Sequence, residues 1–316
     1  MVGNIHIMGI LNLTPDSFYA DSRASADEAI PRIQALFAEG ADVVDLGACS
    51  TRPGSPQPSL EEEWQRLEPV LLEMGEYAPQ GACAPPHSGR GRGPQDTSPR
   101  RGRRRLWEGP EGAQRPESPW GAYSPISIDT YRSEIVRRAY DIIGPFMVND
   151  ISGGQMDPRM LETVGRLGLP YVAMHMRGTP ETMQSLTDYD DVAEAVKSYF
   201  KEFAVKAEQA GVARWILDPG FGFSKTLEQN YELLRRLDEV KSAFPEREML
   251  VGLSRKSMVY KALGITPEEA MPATQIVQFK ALEKGARWLR VHDVAAAVQT
   301  ARLYSTMYTS SPGAAK

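Results

Sequence analysis

Eight short apolar runs alternate along this chain with longer segments that carry one apolar face. Parallel strands buried on both faces have this short continuous apolar pattern, and the longer segments have the spacing of amphipathic helices. Eight such repeats predict an α/β fold, a closed (β/α)8 TIM barrel, rather than an open doubly wound sheet. The predicted strands are residues 5–11, 43–46, 126–129, 146–149, 171–175, 215–217, 249–252 and 288–291.

The best-defined strand-to-helix junction lies at residues 214–226. Asp218 follows the apolar run, and Pro219, Gly220 and Gly222 then turn the backbone. Thr226 is in place to cap a helix that begins at the next residue. A dinucleotide-binding fold would instead need a Gly-x-Gly-x-x-Gly turn after the first strand, and residues 9–12, Gly-Ile-Leu-Asn, do not supply one.

The second helix is predicted to follow a cap at Ser59 and to end at Met74, and a later helix to cover about residues 267–284. One segment interrupts the repeats between the second helix and the third strand. Residues 81–123 hold 8 Gly, 7 Pro and 8 Arg but no Lys, Ile or Val. Such a composition cannot bury enough apolar surface to fold, so residues 76–123 are predicted to be a disordered insertion. Residues 1–75 and 124–308 then form one barrel domain, and 309–316 a flexible tail. A scaffold or RNA-binding role for the Arg-rich insertion stays open as an alternative.

Overall composition excludes several other classes of protein. The net charge of −5 gives no overall nucleic-acid signal. Two cysteines are too few for a disulfide framework, four histidines show no zinc spacing, and no apolar run is long enough for a membrane span. We therefore expect a cytoplasmic protein that contacts neither membrane nor nucleic acid.

Polar residues follow the predicted strands, and in a barrel these positions converge on one rim. Asp129, Asn149 and Asp218 offer acceptors to the N–H edge of a flat heterocycle, and Lys256 can donate to a ring oxygen or nitrogen. The rim also carries a cationic cluster suited to phosphate, formed by Arg52, Arg290 and His292. Asn12 offers an oxygen ligand to a Mg²⁺ ion that bridges the phosphate. The full rim set is Asn12, Asp16, Ser17, Thr51, Arg52, Asp129, Asn149, Asp218, Lys256, Arg290 and His292.

Each of these residues also has a purely structural interpretation. A single Asp at a strand end is commonly a helix cap or a turn former. His292 could simply begin the last helix, Lys256 could be a charge at a helix end, and Asn149 with Asp150 could be no more than an Asx turn. The convergence of many polar residues at the ends of apolar strands favours a ligand site over these separate readings.

The motifs at these positions resemble those of the dihydropteroate synthase family. The resemblance covers the whole chain apart from the insertion and follows the family's order. It rests on residues 8–18 (Met-Gly-Ile-Leu-Asn-Leu-Thr-Pro-Asp-Ser-Phe), 50–54 (Ser-Thr-Arg-Pro-Gly), 126–130, 148–154, 217–223 (Leu-Asp-Pro-Gly-Phe-Gly-Phe), 252–257 (Gly-Leu-Ser-Arg-Lys-Ser) and 290–293 (Arg-Val-His-Asp).

This resemblance implies an enzyme that condenses 6-hydroxymethyl-7,8-dihydropterin diphosphate with 4-aminobenzoate, giving 7,8-dihydropteroate and diphosphate. It also implies a homodimer and competition by sulfonamides. The implied roles are pterin binding by Asp129, Asn149, Asp218 and Lys256; diphosphate binding by Thr51, Arg52, Arg290 and His292; Mg²⁺ binding by Asn12; aminobenzoate binding by Phe18, Pro53, Phe223, Lys256 and Ser257; and catalysis by Asp16, Arg52, Lys256, Arg290 and His292.

Two other functions share a pterin-binding barrel. A methyltetrahydrofolate-binding methyltransferase is disfavoured by the Thr-Pro-Asp-Ser-Phe and Ser-Thr-Arg-Pro loops. A non-catalytic pterin-binding paralogue is disfavoured because Asp129, Lys256, Arg52 and His292 are all present. The chain departs from the family at Cys49, where many members carry an acid, and we expect this cysteine to be an ordinary small residue.

Overall fold

The computed structural model describes residues 4–13, 26–49, 57–77 and 124–309. Its strands are β1 His6–Asn12, β2 Val43–Gly47, β3 Ile126–Asp129, β4 Met147–Asp150, β5 Tyr171–Met174, β6 Trp215–Asp218, β7 Leu250–Val251 and β8 Trp288–Val291. All pair in parallel, in the order β6-β5-β4-β3-β2-β1-β8-β7. A parallel bridge between Leu217 and Met249 joins the two ends of the sheet. The predicted (β/α)8 barrel is confirmed.

Ten helices surround the strands within the described ranges. They are α1 Ala26–Glu39, α2 Leu60–Tyr77, α3 Ser133–Ile143, α4 Met160–Leu167, α5 Val192–Gln209, α6 Leu227–Arg235, α7 Leu237–Ala243, α8 Ser257–Leu263, α9 Met271–Glu283 and α10 Val294–Thr309. The short helices α7 and α8 are not predicted by the sequence, because seven residues are too few to show a helical period. Helix α9 was expected to begin at residue 267, but it begins at Met271, with Pro272 in its first turn, where a missing N–H costs nothing.

Two predicted helix caps are present. Thr226 accepts a hydrogen bond from the Gln229 amide (3.2 Å), and the Gln229 side chain accepts one from the Thr226 amide (2.9 Å). Ser59 and Glu62 make the same reciprocal pair at the start of α2. Each pair satisfies two N–H groups that the first turn of a helix leaves open, so it fixes where the helix begins.

The insertion falls between α2 and β3 in chain order. Helix α2 extends to Tyr77, past its predicted end at Met74. Residues 78–123 and 310–316 lie outside the described ranges, so the domain limits predicted there stay predictions. No helix in the described part of the chain is both long and apolar enough to cross a membrane.

The barrel interior is filled in layers, because successive strand residues point to opposite faces. The lower layer is one buried cluster of Met8, Val43, Met147, Val172, Ile216, Leu250 and Trp288. Residues that alternate with it, such as Val44, Val148 and Leu289, belong to the outer core under the helices. Two residues further along the seven strands, four inward positions are Asp45, Asn149, Asp218 and Arg290, and the other three are Ile10, Met174 and Gly252. The apolar core thus ends at a polar layer.

Candidate active site

Strand register brings three predicted ligand-binding residues to one level. Asn12 pairs with Gly47, Gly47 with Asp129, and Asp129 with Asn149. A Cβ at position 47 would lie 3.0 Å from Asn12 Oδ1 and 3.9 Å from the side chain of Asp129. Glycine therefore leaves room between these polar groups where a side chain would crowd them.

Asp45 lies at the centre of the polar layer and is fully buried. Its Oδ2 accepts hydrogen bonds from Arg290 Nε (2.7 Å) and Asn149 Nδ2 (3.0 Å). Arg290 Nη2 also donates to Asp129 Oδ2 at 2.8 Å. Asp45 thus joins two predicted site residues, yet the sequence analysis missed it because it lies inside a strand. The available signal was a carboxylate within a predicted buried strand, which needs a partner.

The two predicted pterin-binding carboxylates are both buried. Burial raises the pKa of Asp129 to about 7, although Arg290 opposes the rise. Burial also raises the pKa of Asp218, opposed by the Gly220 amide, which donates to its Oδ1 at 2.8 Å. Asp129 therefore takes up a proton more readily than an exposed aspartate, which is fully ionised near neutral pH.

Lys256 immediately precedes α8 and meets the β6–α6 loop. Its amine donates to the Phe221 carbonyl and lies 4.3 Å from the centroid of the Phe223 ring. Burial lowers the pKa of this lysine to about 8, with Asp218 opposing the change. A Cβ on Gly222, whose φ is +82°, would lie 3.1 Å from Lys256 Cδ. The structure therefore brings Phe223 and Lys256 together, as predicted, with Ser257 the next residue of the chain.

A second lysine, Lys225, donates hydrogen bonds to backbone carbonyls of this loop and was not predicted. It is buried, and its amine lies within hydrogen-bond distance of the Gly220 carbonyl (2.9 Å), the Phe223 carbonyl (3.1 Å) and His175 Nδ1 (3.0 Å). Burial lowers its pKa to about 7. A Cβ on Gly220 would lie 2.0 Å from the His175 carbonyl oxygen, so the loop sits directly on the end of β5.

His292 follows β8, and its backbone N–H donates to Ser254 Oγ at 3.2 Å. Burial, followed by the nearby charge of Arg290, lowers the pKa of this histidine to about 3. The ring is therefore neutral at physiological pH. A neutral ring can still offer a hydrogen bond, and the place of His292 in a diphosphate-binding cationic cluster stays a prediction.

The loop between β7 and α8 is tied to the end of β8. Arg255 donates from Nε and Nη2 to both carboxylate oxygens of Asp293, at 2.8 and 2.7 Å. Arg255 has a φ of +51°, which is uncommon for a residue with a side chain. This bidentate ion pair holds Lys256 and His292 on adjoining segments of the rim.

Cys49 contributes a neutral thiol beside this rim. It is buried and is not in a disulfide. Its Sγ lies 3.0 Å from Gln57 Oε1. Burial raises its pKa to about 12, so the sulfur is not a nucleophilic thiolate. This supports the expectation of an ordinary small residue.

Six predicted site residues lie outside the described ranges, and their roles stay predictions. They are Asp16, Ser17, Phe18, Thr51, Arg52 and Pro53. Asn12, the predicted Mg²⁺ ligand, is described, and its side-chain oxygen lies at the level of Asp129. The described residues hold no cluster of three or more His, Cys, Asp or Glu suited to a metal. A single amide oxygen still suits Mg²⁺, which keeps few protein ligands when substrate phosphates complete its shell.

Comparisons with known proteins identify the family to which this barrel belongs. The family model described as pterin binding enzyme matches residues 8–80 and 117–292. A dihydropteroate synthase from Escherichia coli K12 is 35% identical over 301 residues, 94% of this chain and 90% of the relative. The solved Yersinia pestis dihydropteroate synthase with a sulfonamide drug is 30% identical with a TM-score of 0.77, covering 98% of this chain and 96% of that one. The solved Xanthomonas albilineans dihydropteroate synthase with 4-aminobenzoic acid is 30% identical with a TM-score of 0.74, and the match covers 98% of this chain and 95% of that one.

The barrel and its polar rim are thus those of a pterin-binding enzyme, and the chain belongs to that family. Within the family it groups with the dihydropteroate synthases, which are transferases of folate biosynthesis.

Proposed function

We propose that this chain condenses 6-hydroxymethyl-7,8-dihydropterin diphosphate with 4-aminobenzoate at the rim formed by β3, β4, β6 and β8. The observation that carries the proposal is the polar layer above the apolar barrel floor. There Asp129, Asn149 and Asp218 offer acceptors to the N–H edge of the pterin, and Lys256 offers donors to its ring. A flat heterocycle with both kinds of group fits that set.

The diphosphate would lie toward Arg290 and His292, with Thr51 and Arg52 completing its contacts. Arg290 supplies positive charge, and the neutral His292 supplies a hydrogen bond. Both stabilise the negative charge that develops on a leaving diphosphate. Asn12 would hold Mg²⁺ on the diphosphate, where the metal supplies further charge neutralisation.

Aminobenzoate would bind where Phe223, Lys256 and Ser257 meet, and Phe18 and Pro53, outside the described residues, are its other proposed contacts. The Lys256 amine above the Phe223 ring places a cation beside an aromatic face. That pair suits an aromatic carboxylate, and sulfonamides of similar shape would compete for the same position.

An arylamine is a weak nucleophile, so we propose a dissociative path in which the diphosphate leaves first. Buried Asp129 and Asp218 provide negative potential when ionised, which would stabilise a cation on the exocyclic carbon of the pterin. Scrambling of oxygen isotope between bridging and non-bridging positions of the diphosphate, without aminobenzoate, would support this path. A clean second-order displacement without such exchange would contradict it.

The proposed reaction is tested by measuring diphosphate release from the pterin diphosphate with Mg²⁺, with and without 4-aminobenzoate. The full chain is compared with a form that lacks residues 80–122, which lie between α2 and β3. Such αβ connections lie on the rim opposite the active site, so we expect aminobenzoate-dependent release in both forms. Pterin binding without release in either form would indicate a binding protein instead.

A homodimer is proposed through α9 and α10. These neighbouring helices expose the apolar side chains of Ile276 (70%), Leu303 (57%) and Met307 (59%), which a second copy of the chain would cover. Changing Ile276 and Leu303 together to Glu should convert dimer to monomer in light scattering. The control is Leu72→Glu on α2, similarly exposed at 53%. A monomeric wild-type chain would contradict the assignment.

A cytoplasmic location is proposed from the low cysteine content and from the absence of a long apolar run in the sequence. Fractionation of the producing cells tests it, and recovery of the chain with the membrane fraction would contradict it.

A further inference from the structure

One buried oxygen controls the orientation of two ligand-binding side chains. Asp45 Oδ2 accepts from both Asn149 Nδ2 and Arg290 Nε. Asp45 and Asn149 are 0% and 4% exposed. Both residues sit directly above the apolar barrel floor, two positions after Val43 and Met147 in their strands. Water cannot readily replace either hydrogen bond at this depth.

A side-chain amide has one donor end and one acceptor end. Because the Nδ2 end of Asn149 is bonded to Asp45, its Oδ1 end is turned away from that carboxylate. No described residue donates a hydrogen bond to this Oδ1. The amide therefore presents an acceptor, and a flip would place two oxygens against each other in a buried position, which is costly.

We propose that Asp45 is the positioning residue that sets the hydrogen-bond polarity of the pterin pocket. By holding the donor end of Asn149, it makes Asn149 an acceptor beside the carboxylates of Asp129 and Asp218. The inner wall then accepts at three points, so it selects a heterocycle that presents N–H groups and rejects one that presents carbonyls at the same edge. This proposal rests on the proposed function, since it concerns the pterin subsite.

Asp45 also directs Arg290. With Nε bonded to Asp45 and Nη2 to Asp129, the guanidinium plane is fixed by two strands other than its own. Its remaining N–H groups then point in defined directions. The Asp45 carboxylate thereby fixes the orientation of both the Asn149 amide and the Arg290 guanidinium.

The test uses two binding probes, 6-hydroxymethylpterin and its 2-oxo (lumazine) analogue, which replaces the exocyclic amine donor with a carbonyl. Calorimetry gives the ratio of their dissociation constants for the wild type and for Asp45→Asn. An asparagine at 45 can donate to Asn149 Oδ1, which allows the amide to flip. We expect the preference for the pterin over the 2-oxo analogue to fall about tenfold or more. Equal loss of affinity for both probes would overturn the proposal.

A reciprocal variant separates positioning from folding. In Asp45→Asn with Asn149→Asp, the amide at 45 can donate to the carboxylate at 149, whose second oxygen again faces the ligand as an acceptor. We expect the double variant to regain most of the preference that each single variant loses. Additive losses in the double variant would show that the pairing does not set the pocket's polarity.

Asp150→Asn is the matched control. Asp150 is an equally buried carboxylate on the same strand as Asn149, but its partners are Tyr171 (2.6 Å), Ser152 and Gly154. Its loss should lower the melting temperature without changing the probe ratio, and an equal change of ratio in this control would overturn the proposal.

Measuring the wild type distinguishes failure of the Asp45 positioning role from failure of the proposed synthase function. If the wild type releases diphosphate only with aminobenzoate but Asp45→Asn keeps the wild-type probe ratio, the positioning role fails alone. If the wild type binds neither probe, the proposed function fails and the positioning role fails with it.

Discussion

Arg290 reaches from β8 to Asp129 on β3, with 2.8 Å between Nη2 and Oδ2, and bonds Asp45 on the way. The ion pair crosses the barrel mouth and links strands that do not neighbour each other. Asp129, which is predicted to bind the pterin, and Arg290, which is predicted to bind the diphosphate, are therefore coupled electrostatically. The fit of one substrate group is expected to affect the binding of the other.

Replacing Arg290 with Lys tests that unit. A lysine amine is a point charge and cannot bridge Asp45 and Asp129 as the guanidinium does. We expect kcat/KM to fall about 100-fold, because breaking a buried charged pair costs about 2–5 kcal/mol. Steady-state kinetics with both substrates measure the change. Arg302→Lys on the exposed face of α10 is the control, and equal effects of the two substitutions would contradict the account.

The raised pKa of Asp129 predicts a pH-dependent stability. Burial raises this pKa from an ordinary 3.8 to about 7, so between these values the folded chain binds more protons than the unfolded chain. The stability contributed by this group therefore falls as pH rises from about 4 to 7. We expect the melting temperature of the wild type, relative to Asp129→Asn, to decline from pH 5 to pH 7.5. A constant difference across that range would show that Asp129 is ionised throughout.

Lys256 predicts an alkaline limit on pterin binding. Its amine donates to the Phe221 carbonyl, and as an ammonium it has further donors for a ligand. Since burial lowers its pKa to about 8, the charged form is lost above that pH. Pterin affinity measured from pH 6 to 9.5 should fall above about pH 8. Lys256→Arg should bind the pterin more weakly but should not lose affinity above about pH 8, because arginine stays protonated. The same loss of affinity in this variant would assign the titration to another group.

Lys225→Met should weaken the β6–α6 loop. The substitution leaves the carbonyls of Gly220 and Phe223 and the His175 ring without their buried donor. Unsatisfied buried groups of this kind cost about 1–3 kcal/mol each, so for three groups we expect a loss of at least about 3 kcal/mol in denaturant unfolding. The KM for aminobenzoate should rise, since Phe223 lies on this loop. Lys261→Met on the exposed side of α8 should change neither quantity.

The strand ends were predictable because buried parallel strands leave a plain apolar signal in the sequence. Each of Asp129, Asn149 and Asp218 closes or follows such a run, and the structure places all three at the barrel rim. The cap at Thr226 was equally readable, since a capping box needs only local spacing.

The residues that sequence reasoning missed act through distant partners. Asp45 bonds residues 104 and 245 positions away, and Lys225 meets His175 across 50 positions. No local pattern shows such contacts. The lowered pKa of His292 was not predictable for a related reason: residue type gives only its ordinary pKa, whereas burial beside Arg290 lowers it.

Formation of 7,8-dihydropteroate at this rim is the reaction that the whole site is proposed to carry out. The most direct measurement follows labelled 4-aminobenzoate into 7,8-dihydropteroate, with diphosphate counted in parallel, for the wild type and for Asp218→Asn. We expect one diphosphate for each dihydropteroate in the wild type and a kcat/KM about 100-fold lower in the variant, because removing a charge partner of the bound ligand costs about 2–5 kcal/mol. No labelled product in the wild type, or the same rate in Asp218→Asn, would contradict the account.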